Sequence, residues 1–162
     1  MRYKILGLFA AVALVAACET GPDSGATAKS TSFTTPIVKP GTQEDLVVNV
    51  GDRVFFDFDK YSLKAKARQT LERQATFLKD NAGVKVALQG HADERGTREY
   101  NLALGDRRAN AAKDYLMALG INPNRMTIIS YGKERPAVAG SNEAAWSQNR
   151  RAVTVISEGA GS

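Results

Sequence analysis

The sequence predicts a two-layer α/β domain. Four short segments alternate apolar and polar residues at strand period, two longer segments between them repeat at helical period, and 162 residues leave room for one ordinary domain plus tails. Val54, Phe56 and Phe58 share one face of a first strand, and Val84, Val86 and Leu88 one face of a second. Met126 and Ile128 mark a third strand, Val153 and Val155 a fourth.

Between the first two strands, Leu63, Ala67, Leu71, Ala75 and Leu78 repeat at helical spacing. Ser62 is the expected N-cap of that helix and Asn81-Ala82-Gly83 its stop. A longer helix is expected from about Thr97 to Leu119, closed by Gly120, and a short irregular or helical stretch near Asn142 to Trp146. Strands alternating with helices argue for right-handed crossovers, and period-two strands argue for helices on one face only of the sheet.

Ahead of this domain the composition changes twice. Met1 to Lys4 is a short basic start, and Ile5 to Ala17 an almost unbroken apolar run ending in small residues, the pattern of a secretory signal peptide. It falls short of the roughly 20 residues that a bilayer-spanning helix needs. Val15-Ala16-Ala17-Cys18 resembles the lipobox of bacterial lipoproteins, in which the cysteine becomes the acylated first residue. By that resemblance Cys18 is a lipid anchor, and Glu19, standing where an aspartate would favour inner-membrane retention, implies the periplasmic face of the outer membrane. Residues 18–44 read as the lipidated cysteine and a flexible tether, rich in Gly, Pro, Ser, Thr and Ala. A tether of roughly 25 flexible residues has a root-mean-square span of about 28 Å. The expected organisation is therefore leader 1–17, tether 18–44, domain 45–157 and tail 158–162.

Composition excludes several classes. Hydrophobic residues make up 43% and charged residues 24%, as in ordinary soluble domains. One cysteine excludes an intramolecular disulfide. The formal net charge is +5, but removing Arg2 and Lys4 with the leader leaves 20 basic against 17 acidic residues, a net charge of +3. That is too weak a bias to argue for nucleic acid. Arg107-Arg108 and Asn149-Arg150-Arg151 lack an aromatic platform and read better as solvated arginines than as phosphate contacts. His91, Asp93 and Glu94 form no convincing metal set with a single histidine, and no serine or cysteine nucleophile motif accompanies His91. No catalytic residue, metal or cofactor is therefore expected.

The chemistry concentrates in two loops. If the first two strands run the same way, Phe58-Asp59-Lys60-Tyr61 and His91-Ala92-Asp93-Glu94-Arg95-Gly96 emerge at one end of the sheet. On the long helix Leu104, Arg108, Ala112, Tyr115 and Leu119 share a stripe, so Arg108 falls among apolar residues and needs a partner. Helical side chains lean toward the N-terminus, which aims Arg108 at the loop holding Asp93. The pattern allows two readings: an internal Asp93–Arg108 ion pair without a ligand, or a site offering both charges to a molecule that carries an ammonium and a carboxylate.

Several longer motifs resemble the OmpA-like peptidoglycan-binding domain family. They are Phe55-Phe56-Asp57-Phe58-Asp59-Lys60, Gly90-His91-Ala92-Asp93-Glu94-Arg95-Gly96-Thr97, Tyr100-Asn101 through Leu104-Gly105 to Arg107-Arg108-Ala109-Asn110, Ser130-Tyr131-Gly132-Lys133-Glu134 and Asn149-Arg150-Arg151. The resemblance covers roughly residues 45–156 and implies a four-stranded mixed sheet with two main helices on one face and a short extra helix. It implies a non-enzymatic protein that binds the diaminopimelate of the peptidoglycan stem peptide and tethers the outer membrane to the wall. Asp93 would accept from the ligand's ammonium and Arg108 would hold its carboxylate. Asn101 would shape the helix start, while Phe58, Asp59 and Leu104 would wall the site. Many members carry serine after that leucine, whereas this chain has Gly105, as in the family's lipoprotein branch. The resemblance further implies partnership with the β-propeller protein TolB and other Tol proteins, in envelope integrity and cell division. The alternative from another class is a periplasmic wall hydrolase, which would release fragments from peptidoglycan. Asp93→Ala or Arg108→Ala is expected to weaken binding by at least roughly tenfold with the fold intact.

Overall fold

The structure, a computed structural model, describes residues 38–159. Cys18, the leader and nearly all of the tether lie outside the described residues. The chain begins with a short helix α1 (Gln43–Asp45), capped by the Thr42 hydroxyl and continued by a π-helical turn, Leu46–Val50. Gln43, placed by the sequence within the tether, accepts from the Ile156 amide at 2.7 Å, so it is fastened to the sheet.

Strand β1 (Arg53–Phe55), helix α2 (Ala65–Asp80), strand β2 (Lys85–His91), helix α3 (Arg98–Ala118), a 3-10 turn (Pro123–Arg125) and strand β3 (Met126–Gly132) follow in order. Helix α4 (Glu143–Asn149) and strand β4 (Arg151–Glu158) complete the domain. The sheet order is β1-β4-β2-β3, with β4 antiparallel to both its neighbours and β2 parallel to β3. The sheet is therefore mixed, as expected. β1, β2 and β3 all run one way, so the loops that follow them gather at one end, where β4 begins.

One core lies between the sheet and the two main helices. Leu71, Leu78, Val84, Val86, Leu88 and Leu116 are fully buried there, with Val54, Phe56, Ala109, Ala112 and Met126 nearly so. Burial of this area from water is the main force holding the layers together. α3 starts where its sequence says it should, with the Thr97 hydroxyl accepting from the Tyr100 amide at 3.2 Å. Asn142 caps α4 in the same way.

Three local expectations are corrected. Ser62 does not cap α2: residues up to Lys64 stay extended, and the helix begins at Ala65 without a side-chain cap. Phe58 does not continue β1, which ends at Phe55; it lies in the loop and is 57% exposed. In β4 the face toward the helices holds Ala152 and Thr154, while Val153 and Val155 lie on the opposite face. The polar Thr154 is accepted because its hydroxyl donates to Gln74 Oε1 at 2.8 Å, inside the core.

α3 crosses the sheet at unusually short range. A Cβ on Gly90 would overlap the carbonyl of Gly105, and one on Gly105 would fall 2.9 Å from the Gly90 oxygen. Glycine at both positions lets a helix backbone rest on a strand backbone. This seats the N-terminal half of α3 directly over the end of β2, where the two sequence-picked loops meet.

Candidate functional site

A cleft of about 180 Å3 opens at that end of the sheet, lined by Phe58, Asp59, Asp93, Arg95, Gly96, Tyr100, Asn101, Leu104 and Arg108. All six non-covalent site residues picked from the sequence, Phe58, Asp59, Asp93, Asn101, Leu104 and Arg108, border it. Arg95, Gly96 and Tyr100 also line it, and sequence reasoning gave them no role.

Arg108 forms the floor. Its residue surface is 0% exposed, and its guanidinium donates to three main-chain carbonyls: Nε to Lys60 at 2.9 Å, Nη1 to His91 at 2.8 Å and Nη2 to Asp57 at 3.2 Å. One side chain thus fixes both loops. Burial lowers its pKa to about 10, opposed by the charge of Asp93, so Arg108 remains charged at neutral pH. Three of its five N–H donors are used, which leaves two for a ligand.

Of the two readings the sequence allows, the internal Asp93–Arg108 ion pair does not form. Asp93, 4% exposed, is held by two other arginines. Its Oδ1 accepts from the amide and Nε of Arg95, each at 3.2 Å, and its Oδ2 from Arg95 Nη2 at 2.6 Å and Arg150 Nη1 at 3.2 Å. Burial by itself would raise the Asp93 pKa, but these hydrogen bonds outweigh it and hold the carboxyl below the usual aspartate value. Four donors fill the four lone-pair positions of a carboxylate.

The sequence pattern points to a solvated Arg150, and the structure overturns that. It is 5% exposed, donates to the Phe56 carbonyl at 3.1 Å, and bridges Asp93 and Glu143. Arg151 is buried as well, donating to the carbonyls of Asn149 and Arg135. Arg150 reaches the site because β4 starts between the ends of β1 and β2, an arrangement that no local pattern announces. Arg95 is sandwiched: its guanidinium carbon sits 4.0 Å from the Phe58 ring centroid and 4.0 Å from that of Trp146. Trp146 in turn donates to Glu94.

The remaining wall is built from turns. Asn101, buried at the start of α3, donates to the carbonyls of Arg95 and Thr97 at 2.8 and 3.0 Å and so ties the loop to the helix. Asp59 has left-handed backbone, φ 54°, which aspartate tolerates better than most residues, and its carboxylate accepts from the Tyr100 hydroxyl across the cleft. Leu104 adds an apolar surface. The result is a small pocket with carboxylates on its walls, guanidinium donors at its floor and apolar sides, suited to a group that bears both charges. Among the described residues no group of three His, Cys, Asp or Glu side chains is placed to hold a metal ion, and no helix is long and apolar enough to cross a membrane.

Comparison with known proteins agrees with this layout. Residues 55–150 match the OmpA family. The chain is 58% identical to the peptidoglycan-associated lipoprotein of Rhizobium meliloti, over 76% of this chain and 69% of that protein. It is 55% identical to the peptidoglycan-associated lipoprotein of Brucella suis, over 75% and 72% respectively. Among solved structures, the peptidoglycan-associated lipoprotein from Burkholderia pseudomallei superposes with a TM-score of 0.63 at 45% identity, over 65% of this chain and 89% of that one. The C-terminal domain of Helicobacter pylori MotB shares the fold, with a TM-score of 0.62 at 22% identity over 67% and 86%.

Proposed function

Because the chain belongs to the OmpA family, we propose that it is a peptidoglycan-binding lipoprotein whose cleft takes the free amino-acid end of diaminopimelate in the stem peptide. The observation that carries the reading is the pairing of a buried carboxylate, Asp93, with a fully buried arginine, Arg108, around one pocket of single-residue size. The ligand's carboxylate meets the two unused donors of Arg108. Its ammonium goes to Asp93, whose acceptor positions are already filled, so an incoming cation takes the place of the Arg95 side chain. Arg95 is the one to yield, since its side chain is 31% exposed against 6% for Arg150. Asp59, on the facing wall, adds a second negative charge near the ammonium. The action is binding, with no bond made or broken.

The rest of the reading rests on resemblance. Cys18, acylated, anchors the chain to the periplasmic face of the outer membrane; several acyl chains, at about 0.8 kcal/mol per buried methylene, hold a protein stably. The folded head then links that membrane to the wall. In this role the protein joins TolB and the other Tol proteins in maintaining envelope integrity and in cell division.

Co-sedimentation with diaminopimelate-containing peptidoglycan tests the proposal, using wild type, Asp93→Asn and Arg108→Lys. Wild type should pellet with the wall, and each folded variant should bind at least about tenfold more weakly, since a charge-assisted hydrogen bond contributes roughly 1.5 to 3 kcal/mol. Wild-type binding unchanged in both variants would place the ligand elsewhere.

A further inference from the structure

The arginines around the cleft differ in one respect. Arg95 and Arg150 pair with carboxylates, Arg108 gives three of its donors to carbonyls, and Arg98 pairs with Glu134 at 3.3 Å. Arg107 has neither: among the described residues no carboxylate lies within ion-pair distance of it. Its position is nonetheless defined. The guanidinium carbon lies 5.6 Å from the Tyr61 ring centroid and 5.7 Å from that of Tyr100, and both rings are half exposed. Two flanking rings restrict the rotamers of a long side chain, and Arg107, half-buried between them, has no carboxylate to neutralise it.

The location gives this arrangement a use. Successive residues on a helix point about 100° apart, so Arg108 turns inward to the floor while its neighbour Arg107 stays at the rim. Tyr100 belongs to both places, since it lines the cleft and flanks Arg107. A diaminopimelate whose free end lies on the floor projects three methylenes outward, and the stem-peptide backbone therefore emerges at this rim. That backbone carries two further carboxylates, the α-carboxylate of its γ-linked glutamate and the C-terminal carboxylate of the peptide.

We propose that Arg107, held between Tyr61 and Tyr100, is a second anion-binding position that takes a backbone carboxylate of the stem peptide whose diaminopimelate end fills the cleft. The inference rests on the function proposed above. It makes the site selective for acidic stem peptides over those amidated at that carboxylate.

Calorimetric titration of the full chain in detergent tests it, with the tetrapeptide L-Ala-γ-D-Glu-meso-diaminopimelate-D-Ala and three monoamides. These are blocked at the glutamate α-carboxylate, at the C-terminal carboxylate, or at the free diaminopimelate carboxylate. One of the first two amides should bind wild type about two- to fivefold more weakly than the acid, the range of a partly exposed ion pair, and that amide identifies the carboxylate. Arg107→Gln should weaken the acid by the same factor and leave that amide unchanged. The advantage of the acid should also shrink with added salt. If wild type binds the acid and the first two amides alike, or if Arg107→Gln weakens all of them equally, Arg107 is not a subsite. If amidation of the diaminopimelate carboxylate has no effect, the floor assignment fails instead.

Discussion

Arg108 Nη1 donates to the main-chain oxygen of His91 at 2.8 Å, within a fan that also reaches Asp57 and Lys60. A single buried cation therefore holds the ends of two loops that are 31 residues apart in sequence at their closest members, Lys60 and His91. This changes what its removal should do. Arg108→Ala removes the donor of three carbonyls, and an unpaired buried carbonyl costs about 1 to 3 kcal/mol, so with all three left unpaired the variant should lose about 3 kcal/mol or more in urea unfolding and not merely its affinity. The sequence-based expectation for this substitution is weaker binding with the fold intact; the three carbonyl contacts add a stability cost to it. A loss under about 1 kcal/mol would mean that water replaces the guanidinium.

The contact of Gly90 with Gly105 makes a second prediction. Gly105→Ser or Gly105→Ala places a Cβ against the Ser130 hydroxyl and the Gly90 oxygen, so α3 must lift from β2. Overpacking of this kind costs typically 1 to 3 kcal/mol, and lifting α3 also moves Arg108 away from its carbonyls. Both stability and wall binding should fall. Gly83→Ala is the control: nothing lies within 4 Å of its added Cβ, and its melting temperature should hold or rise.

Much of this was legible in the sequence, for reasons that particular residues show. Thr97 as a cap, the 3.6-residue stripe of α3 and the charge of Arg108 inside that stripe are all local patterns, and the structure keeps each of them. The acceptors of Arg108 were not legible, because a backbone carbonyl carries no side-chain signature and those of Asp57 and Lys60 lie about 50 residues away. The placement of Arg150 beside Asp93 depends on β4 inserting antiparallel between β1 and β2, which only the assembled sheet reveals. Val153 and Val155 misled on facing because hydrophobicity is a weaker guide than the hydrogen bond that admits Thr154 to the core.

His91 supplies a pH dependence. It is 2% exposed, stacks on Tyr131 with centroids 5.4 Å apart, and its Nδ1 has no hydrogen-bond partner. Burial first, then the nearby charge of Arg151, pushes its pKa down to about 4. Between the ordinary histidine value near 6.5 and about 4 the unfolded chain takes up a proton that the folded chain refuses, so stability falls as pH drops through that window. The loss is at most about 3 kcal/mol. Urea midpoints measured at pH 7 and pH 5 should differ for wild type and much less for His91→Phe, which keeps the stack on Tyr131. Equal shifts in both proteins would assign the effect to other groups.

Trp146, the sole tryptophan, reports on the displacement of Arg95. In the free protein its ring lies 4.0 Å from the Arg95 guanidinium carbon, and its indole N–H donates to Glu94 at 3.0 Å. A ligand ammonium that takes over the oxygens of Asp93 moves that cation off the ring, so the polarity around the indole changes. Titration with the stem tetrapeptide should therefore shift Trp146 emission with the same midpoint as calorimetric binding. Arg95→Ala should abolish the shift while keeping the binding, because Arg150 still orients Asp93. Binding without any change in wild-type emission would show that Arg95 stays in place, and the ammonium would then be assigned to Asp59 on the facing wall.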